Sequence, residues 1–481
     1  MKNNKTTQKR DKGNSCPFYK KCGGCQLQNM TYEEQLSFKM AKAIKVLGRF
    51  GHVEEIIGME KPYHYRNKVQ AAFGYSRGRI ISGVYQSSSH NIIPVEKCMI
   101  EDEKADEIIK DIRLLLPRFR LTSYNEDTGR GFLRHILVKR GFATGEIMVV
   151  LVTGTNIFPK KDEFVRAILE KHGDITTIVW NINSSKTSLV LGEKETVLYG
   201  KGYITDILCG KRFRISAKSF YQINPVQTEK LYGKAMEFAD LTGKERVFDA
   251  YCGIGTIGLV ASDRAKEVIG VELNSQAVKD AKINAGLNGA ENISFYCDDA
   301  GEFMVAMARE REKVDVLFMD PPRAGSDMKF LKSTVTLAPN RIVYISCNVE
   351  TQARDLAYLC RNGYKAVKIQ PVDMFPHTSH IETVVLLSQR RPDTHIDIKL
   401  DLSELDITAA ETKATYQEIK DYVLGKHGLK VSTLYISQVK AKCGIIEREC
   451  YNKGEGKSRV PKCPKEKEEA IMDALKHFNM I

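Results

Sequence analysis

The stretch Val247-Phe-Asp-Ala-Tyr-Cys-Gly-Ile-Gly-Thr-Ile-Gly258 joins an apolar run to a glycine turn and then to a helical pattern. It contains GxGxxG, the pattern that cradles a pyrophosphate at a helix N-terminus in dinucleotide-binding folds. Asp249, however, ends the apolar run ahead of the glycines, where its negative charge would repel a pyrophosphate. An acid at this position suits a cationic or amino-acid-bearing ligand instead.

Acids at two further strand ends favour the same alternative. Glu272 closes the next apolar run, VIGVEL, and Asp298 and Asp299 follow the third. Asp-x-x-x-Gly-x-Gly with an acid closing the second strand is the arrangement of S-adenosylmethionine sites. In such sites the glycines admit the methionine end, and Glu272 would hold the ribose. We therefore expect a methyl donor rather than a dinucleotide in the turn.

The alternation of apolar runs with helical segments predicts the fold around this turn. The runs are ERVFDAY, EVIGVEL, ISFYCDD, VDVLFMD, RIVYISC and TVVLLSQ. This rhythm is typical of a doubly wound, Rossmann-like α/β sheet, whose ligands lie at the carboxyl ends of the strands. Upstream, short strand-like runs such as VQAAFGY, RIISGVY and EIMVVLVTG predict a separate β-rich region.

Length and composition set the frame for these motifs. A chain of 481 residues should form about three domains. The formal charge of +13 favours a polyanionic partner such as nucleic acid. The polar, basic N-terminus resembles no secretory signal, and no apolar run is long enough to span a membrane. We therefore expect a cytoplasmic protein whose thiols stay reduced.

Three of the 12 cysteines are closely spaced, in Cys16-Pro-Phe-Tyr-Lys-Lys-Cys22-Gly-Gly-Cys25. The glycines allow the backbone to curl closely around an ion, and the spacing is typical of a metal or cluster site. The next cysteine along the chain is Cys98. Zinc and a [4Fe-4S] cluster both accept four thiolates, so the spacing alone leaves both open.

The later strand ends carry the reactive groups. Strand four of the predicted sheet finishes in Asp320-Pro-Pro-Arg323, and strand five in Ser346-Cys347-Asn348. A cysteine at the carboxyl end of a strand lies over the ligand crevice, where its thiolate can act as a nucleophile. The segment His377-Thr-Ser-His380-Ile-Glu382 then offers a carboxylate as a base, although two histidines and a glutamate could instead bind a metal.

The motifs SFYQINP, DAYCGIG, MDPPR, YISCN and HTSHIE occur in the order found in one known family. Over residues 16–390 the sequence resembles the RNA uracil-5-methyltransferases of the RumA and TrmA type. The resemblance implies Cys347 as nucleophile and Glu382 as base. It also implies two binding sets, an S-adenosylmethionine site and a [4Fe-4S] site like that of the ribosomal-RNA branch. The first set is Gln222, Tyr251, Glu272 and Asp320; the second is Cys16, Cys22, Cys25 and Cys98.

The chemistry of the family explains why these groups are needed. Uracil C5 is too poor a nucleophile to accept a sulfonium methyl group, so the Cys347 thiolate adds to C6 and makes C5 nucleophilic. After methyl transfer, Glu382 removes the C5 proton and elimination frees Cys347. The target base must be flipped out of the RNA or already unstacked. Phe220 could pack against that base, and Arg66 and Lys68 could contact phosphate, although a core Phe and solvated charges are equally good interpretations.

The resemblance also sets the expected domain organisation. We predict a basic tail and iron-sulfur segment (1–60), a β-rich RNA-binding domain that supplies the fourth ligand (61–214), a methyltransferase domain (215–391), a linker (392–410) and a basic helical module (411–481). The β-barrel that usually begins ribosomal-RNA members is missing from the pattern. The helical module, with 14 Lys and Arg against 10 Asp and Glu, could replace it as an RNA anchor or could serve stability or docking.

The preferred prediction for the substrate is 23S ribosomal RNA. We also expect the protein to be a monomer. A transfer-RNA methyltransferase of the same chemistry is an alternative, against which the cluster cysteines count. An RNA-binding or assembly protein with a vestigial methyltransferase fold is a second alternative, against which intact Cys347 and Glu382 count.

Overall fold

Residues 16–86, 89–186, 189–390, 416–443, 463–478 and 480 are described by a computed structural model of the chain. The chain divides into two units, Met1–Arg391 and Pro392–Ile481. Within the described residues no helix is both long and apolar enough to cross a membrane.

The first unit begins with a cysteine-containing turn and a long helix. Helix α1 spans Tyr19–Cys22 and α2 spans Tyr32–Leu47. The Thr31 side chain accepts a hydrogen bond from the Glu34 backbone, and the Glu34 side chain accepts one from Thr31, which forms a capping box that fixes the start of α2. Ala43 and Leu47 of α2 are fully buried in a core shared with the second sheet described below.

A seven-stranded mixed sheet follows, in the region predicted to be β-rich. Its strand order is β3-β2-β1-β4-β5-β6-β7. Helices α3 and α4 contribute Ile108, Ile112 and Phe164, all fully buried, to the core against this sheet. The elements are β1 (Lys68–Ser76), β2 (Arg79–Tyr85), β3 (Ile92–Pro94), α3 (Glu103–Leu115), a 3-10 turn (Leu116–Phe119), β4 (Leu133–Arg140), β5 (Ile147–Thr153), α4 (Lys161–Lys171), β6 (Ile175–Ile182) and β7 (Lys194–Tyr199).

A two-stranded hairpin and a helix lead into the second large sheet. The hairpin consists of β8 (Tyr203–Leu208) and β9 (Lys211–Ser216). The remaining elements are α5 (Pro225–Ala239), β10 (Arg246–Ala250), α6 (Thr256–Ser262), β11 (Glu267–Glu272), α7 (Ser275–Leu287), β12 (Ile293–Cys297), α8 (Ala300–Arg309), β13 (Val316–Met319), α9 (Met328–Leu337), β14 (Arg341–Ser346), α10 (Val349–Arg361), β15 (Tyr364–Val372) and β16 (Glu382–Gln389).

The second sheet has the order β12-β11-β10-β13-β14-β16-β15. Strands β10 to β14 pair in parallel, whereas β16 pairs antiparallel with both β14 and β15. The doubly wound α/β sheet predicted from the apolar rhythm is therefore confirmed, with an antiparallel edge. The carboxyl ends of β10, β11, β13 and β14 meet at one edge of the sheet, where ligands of such folds bind.

The second unit contains three described helices, all within the region predicted to be a helical module. They are α11 (Tyr416–His427), α12 (Thr433–Lys442) and α13 (Lys465–His477). Ile419, Val423, Ile436 and Ile471 are fully buried in a core formed by these helices. The predicted linker, at 392–410, lies outside the described residues.

Candidate active site

The glycine turn follows directly from β10. Tyr251, Gly253 and Gly255 all adopt positive φ angles, of 62°, 56° and 84°. A Cβ atom on Gly255 would lie 2.6 Å from Cζ of Phe295, so that position excludes a side chain. A Cβ on Gly253 would meet nothing within 4 Å. The turn is thus packed against the sheet at one glycine and open at the other, where a ligand can approach the backbone.

The two acids of the turn have different roles. Glu272 accepts hydrogen bonds from the backbone N–H groups of Gly253, at 3.1 Å, and of Asn274, at 2.8 Å, and so joins the ends of β10 and β11. Asp249 is fully buried and accepts from the Gly258 N–H at 2.8 Å. Burial raises the pKa of Asp249 to about 8. The expectation that Asp249 suits a cationic ligand gives way to a structural role beneath the turn, because its carboxylate has no exposed surface.

An open cleft lies at the ends of β10, β11 and β12. Tyr251, Glu272, Asp299 and Phe330 line it. The rings of Tyr251 and Phe330 lie 5.0 Å apart between centroids. Asp299 also caps α8 by accepting from the Glu302 N–H at 3.0 Å. Aromatic faces and a carboxylate suit a nucleoside with ribose hydroxyls, so the residues fit the predicted site for Tyr251 and Glu272.

Gln222 and Asp320 meet around a tyrosine that sequence reasoning missed. Tyr232 of α5 is buried, and its hydroxyl lies 3.1 Å from Oγ1 of Thr256. Burial raises the pKa of Tyr232, the nearby Asp320 charge raises it further, and a side-chain hydrogen bond with Gln222 lowers it. Tyr232 therefore links the SFYQINP segment to the glycine turn and to the end of β13. Nothing in its helical sequence context distinguishes it from an ordinary core tyrosine.

The turn after β14 presents Cys347. The Asn348 side chain caps α10 by accepting from the N–H groups of Glu350, at 3.1 Å, and Thr351, at 3.4 Å. The Asn348 N–H donates to Oγ of Ser346 at 3.1 Å. The residues on either side of Cys347 thus fix the passage from strand to helix, and the half-buried thiol lies at the strand end, as predicted.

Glu382 is the first residue of β16 and lies beside this turn. In the antiparallel register of β14 and β16, Ser346 pairs with Thr383, so Cys347 and Glu382 come next on their strands. Glu382 is only 6% exposed. The structure therefore brings the predicted nucleophile and the predicted base together, and places Asp320 close enough for its charge to act on both.

Burial dominates the electrostatics of this group. The pKa of Cys347 is raised to about 11, chiefly by burial and also by the charges of Glu382 and Asp320, with Arg323 opposing the rise. Burial also raises the pKa of Glu382 well above its usual range, with Asp320 adding to the effect and Arg323 opposing it. The pKa of Asp320 rises to about 7 for the same reason of burial. Strongly perturbed acids gathered in one cleft are typical of catalytic sites.

Arg323 is the positive charge of the site, and its role was not predicted although the DPPR motif contains it. Its carbonyl accepts from Nδ2 of Asn348, at 3.1 Å, and from Oγ1 of Thr351, at 3.3 Å. These bonds tie the loop after β13 to the turn that carries Cys347. Its charge favours the ionised forms of both Cys347 and Glu382.

The cysteines of the N-terminal segment form a separate group. Burial raises the pKa of Cys25 to about 11, and the neighbouring Cys22 and Cys16 add to the rise. Cys25 and Cys98 pack against the same small apolar cluster. Four thiols are a ligand type that a [4Fe-4S] cluster accepts, but among the described residues no three of these cysteines have ligand atoms that lie within 4.8 Å of one another. The Arg66 charge also acts on Cys25. Arg66, considered above as a phosphate contact, therefore lies close to Cys25.

The other candidate RNA contacts are placed as follows. Phe220 is 65% exposed, so its interpretation as a core residue is wrong. Lys68 is partly buried, and burial lowers its pKa.

Known proteins resemble this chain over most of its length. The family described as tRNA (uracil-5-)-methyltransferase matches residues 31–390. An uncharacterized RNA methyltransferase of Clostridium tetani is 46% identical over 377 residues, which cover 78% of this chain and 82% of that protein. One from Bacillus cereus is 43% identical over 379 residues, covering 78% and 82%.

A solved structure resembles the chain in fold and sequence. The Pyrococcus abyssi tRNA (uracil-54, C5)-methyltransferase, crystallised with S-adenosyl-L-homocysteine, is 30% identical with a TM-score of 0.64, and the match covers 76% of this chain and 85% of that one. The likeness agrees with a methyl-donor site at the glycine turn. The chain belongs to the tRNA (uracil-5-)-methyltransferase family and is an S-adenosylmethionine-dependent RNA methyltransferase.

Proposed function

We propose that this protein methylates C5 of uracil in 23S ribosomal RNA through a covalent bond between Cys347 and C6 of the base. The observation that carries the proposal is the placement of Cys347 opposite Glu382, beside Asp320 and near the donor cleft. A buried carboxylate next to a thiol has no structural need. It matches the two proton-dependent steps that uracil methylation requires.

In the proposed reaction each side chain has one task. The thiol of Cys347 releases its proton to solvent, its sulfur forms a bond to C6, and the electrons of the C5–C6 double bond move toward C5 and the O4 oxygen. Gln222, Tyr251, Glu272 and Asp320 would hold S-adenosylmethionine, which would supply the methyl group for C5. Glu382, in its ionised form, then takes the C5 proton, and the C6–S bond breaks to return the thiolate. Burial raises the pKa of Glu382 well above its usual range, which disfavours the ionised form that this step uses.

The flipped base needs a partner surface outside the stack. Phe220 lies two residues before Gln222 and is largely exposed. Aromatic rings stack on unpaired bases in many RNA complexes. We assign Phe220 to this contact.

The preference for 23S ribosomal RNA rests on the cysteines. Cys16, Cys22, Cys25 and Cys98 would hold a [4Fe-4S] cluster, which the resemblance associates with the ribosomal-RNA branch. The second candidate substrate is transfer RNA, because the similar solved structure from Pyrococcus abyssi is that of a tRNA (uracil-54, C5)-methyltransferase. The two differ in the RNA that is recognised, while the chemistry is the same.

A direct test incubates the purified protein and S-adenosylmethionine with 23S ribosomal RNA or transfer RNA transcripts and maps 5-methyluridine. We expect product in 23S ribosomal RNA, none with Cys347→Ala, and a methylated RNA adduct with Glu382→Gln that survives denaturing electrophoresis. Methylation of transfer RNA alone would replace the substrate. Substantial product from Cys347→Ala would contradict the mechanism.

A further inference from the structure

The segment that leads into Glu382 has an unusual backbone. We call residues 373–381, between β15 and β16, the 373–381 loop. Within it His377 has a φ angle of 69° although it is not glycine, and it is only 3% exposed. A bulky residue in this conformation costs free energy and persists only when its surroundings hold it.

Hydrogen bonds from a glutamine of the N-terminal helix keep His377 in this conformation. Gln35 of α2 is fully buried. Its Oε1 accepts from the His377 N–H at 2.8 Å, and its Nε2 lies 3.2 Å from Nδ1 of the His377 ring. Nε2 also donates to the Met30 carbonyl at 3.2 Å, which orients the amide so that Nε2 is the donor. Gln35 therefore bonds both the backbone and the ring of the strained residue.

The charge state of His377 suits this bond. Burial lowers the pKa of His377, which favours the neutral ring. A neutral ring accepts the Gln35 hydrogen bond at Nδ1 and carries its own proton on Nε2. The Gln35 amide therefore favours the neutral His377 tautomer that carries its proton on Nε2.

Other contacts from the same N-terminal segment fix the rest of the loop. Lys39 forms a fully buried ion pair with Asp373, at 2.5 Å, and donates to the Phe375 carbonyl at 3.0 Å. The Leu27 N–H donates to the His377 carbonyl at 3.0 Å. The loop is therefore held along its length, and Gln35 acts at its most strained point.

We propose that Gln35 is a positioning residue for the proton-abstraction step, which it serves by holding His377 so that the loop delivers Glu382 to C5 of the bound base. The inference rests on the proposed role of Glu382 as the base. A general base must lie within hydrogen-bond reach of its proton, and a displacement of about 1 Å can cost about 100-fold in rate. Cys347 directly follows β14, so its position is not set by the 373–381 loop as that of Glu382 is.

The two steps can be separated by single-turnover kinetics on the RNA substrate established by 5-methyluridine mapping. In Gln35→Met, a substitution of similar size without the three hydrogen bonds, adduct formation should stay within about threefold of wild type. Release of methylated RNA should slow by about 10- to 100-fold. The methylated adduct should therefore accumulate on denaturing gels, as with Glu382→Gln.

Two further variants distinguish positioning from stability. Gln35→Glu keeps an acceptor for the His377 N–H and should restore part of the release rate. Leu47→Ala removes packing from an equally buried position of the same helix and should lower both steps in equal proportion without any adduct. If Gln35→Met does not fold, the comparison is made between the other two variants. A slower release of methylated RNA by Gln35→Glu, relative to its own adduct formation and to Leu47→Ala, indicates positioning; an equal loss in both steps indicates stability.

The outcomes for the two proposals are distinct. An adduct with Glu382→Gln but none with the Gln35 variants, or an equal loss in both steps, overturns the role of Gln35. The absence of an adduct with Glu382→Gln overturns the assignment of the base itself.

Discussion

Cys347 and Glu382 lie at the ends of two antiparallel neighbours, one residue beyond the Ser346–Thr383 pair, and the charge of Glu382 raises the pKa of the Cys347 thiol. Glu382 therefore opposes ionisation of the Cys347 thiol. With a pKa of about 11 for the thiol, only about one molecule in 10⁴ carries the thiolate at pH 7. In the proposed mechanism, bound RNA has to favour the thiolate before the thiol attacks the base.

The raised pKa of Cys347 predicts slow alkylation near neutral pH. Because the thiolate is the reactive form, modification by iodoacetamide without RNA should accelerate about tenfold per pH unit between pH 7 and pH 10. Mass spectrometry of the peptide containing Cys347 measures the rate, with Cys347→Ala to identify the signal. A rate that levels off below pH 8 would show that the thiol ionises more readily than its surroundings imply.

Removal of the Arg323 charge should shift both ionisations upward. Since Arg323 lowers the pKa of Cys347 and of Glu382, Arg323→Met should slow alkylation of Cys347 at pH 8 by about three- to tenfold. The pH profile of methylation should move to higher pH. Arg323→Lys keeps the charge and is the control; identical profiles for the two variants would show that the effect is steric.

The buried Asp249 should make stability depend on pH. Its pKa rises from about 4 in the unfolded chain to about 8 in the folded protein, so the folded state binds the proton more tightly. This stabilisation is present below about pH 4 and is lost as the pH rises to about 8, with a slope of up to about 1.4 kcal/mol per pH unit.

The matched variant is Asp249→Asn, which retains an acceptor for the Gly258 N–H and removes the ionisation. The difference in the free energy of unfolding between the variant and wild type should grow in favour of the variant from pH 5 to pH 8, as measured by urea denaturation. A difference that does not change with pH would mean that the carboxyl does not titrate in this range.

The cysteine group predicts iron in the purified protein. Prepared without oxygen, the protein should be brown, with about four irons per chain. Cys22→Ser should lose the colour, whereas Cys297→Ser, at an exposed strand-end thiol, should keep it. Elemental analysis is the measurement, and stoichiometric zinc in place of iron would refute the cluster while leaving the ligands in place.

The basic helical module at 411–481 predicts weaker RNA binding when it is removed. A chain that ends near residue 405 should retain its affinity for S-adenosylmethionine but bind folded ribosomal RNA less tightly. Each lost phosphate contact should reduce the salt dependence of binding by about one unit of slope. If the full chain and the shortened chain bind RNA with equal affinity and equal salt dependence, the module serves stability or docking instead.

Strand ends were the most predictable part of the site. Parallel strands bring their carboxyl ends to one edge whatever the intervening sequence, so the motifs at Glu272, Asp320 and Cys347 could be expected to converge. Strand β15 was not predicted, because a register shift between Ala366 and Lys368 interrupts its alternation. Asp249 was assigned to a ligand because its position along the chain is visible in the sequence and its burial is not.

Contacts between distant parts of the chain were beyond sequence reasoning. Tyr232 lies in a helix whose pattern indicates only a buried face. Gln35 and His377 are separated by 342 positions, and no local preference reveals that pairing. Such residues act through the tertiary arrangement, which a single sequence does not encode in any short pattern.

The distance along the chain between Gln35 and His377 also has a consequence for biosynthesis. The N-terminal helix leaves the ribosome long before the 373–381 loop has been translated, and domains fold as units during synthesis. The reactive edge of the sheet can be completed only when its last strands emerge and meet the oldest part of the chain. If Glu382 is the base as proposed, a growing polypeptide cannot complete methylation until about four-fifths of it has been made.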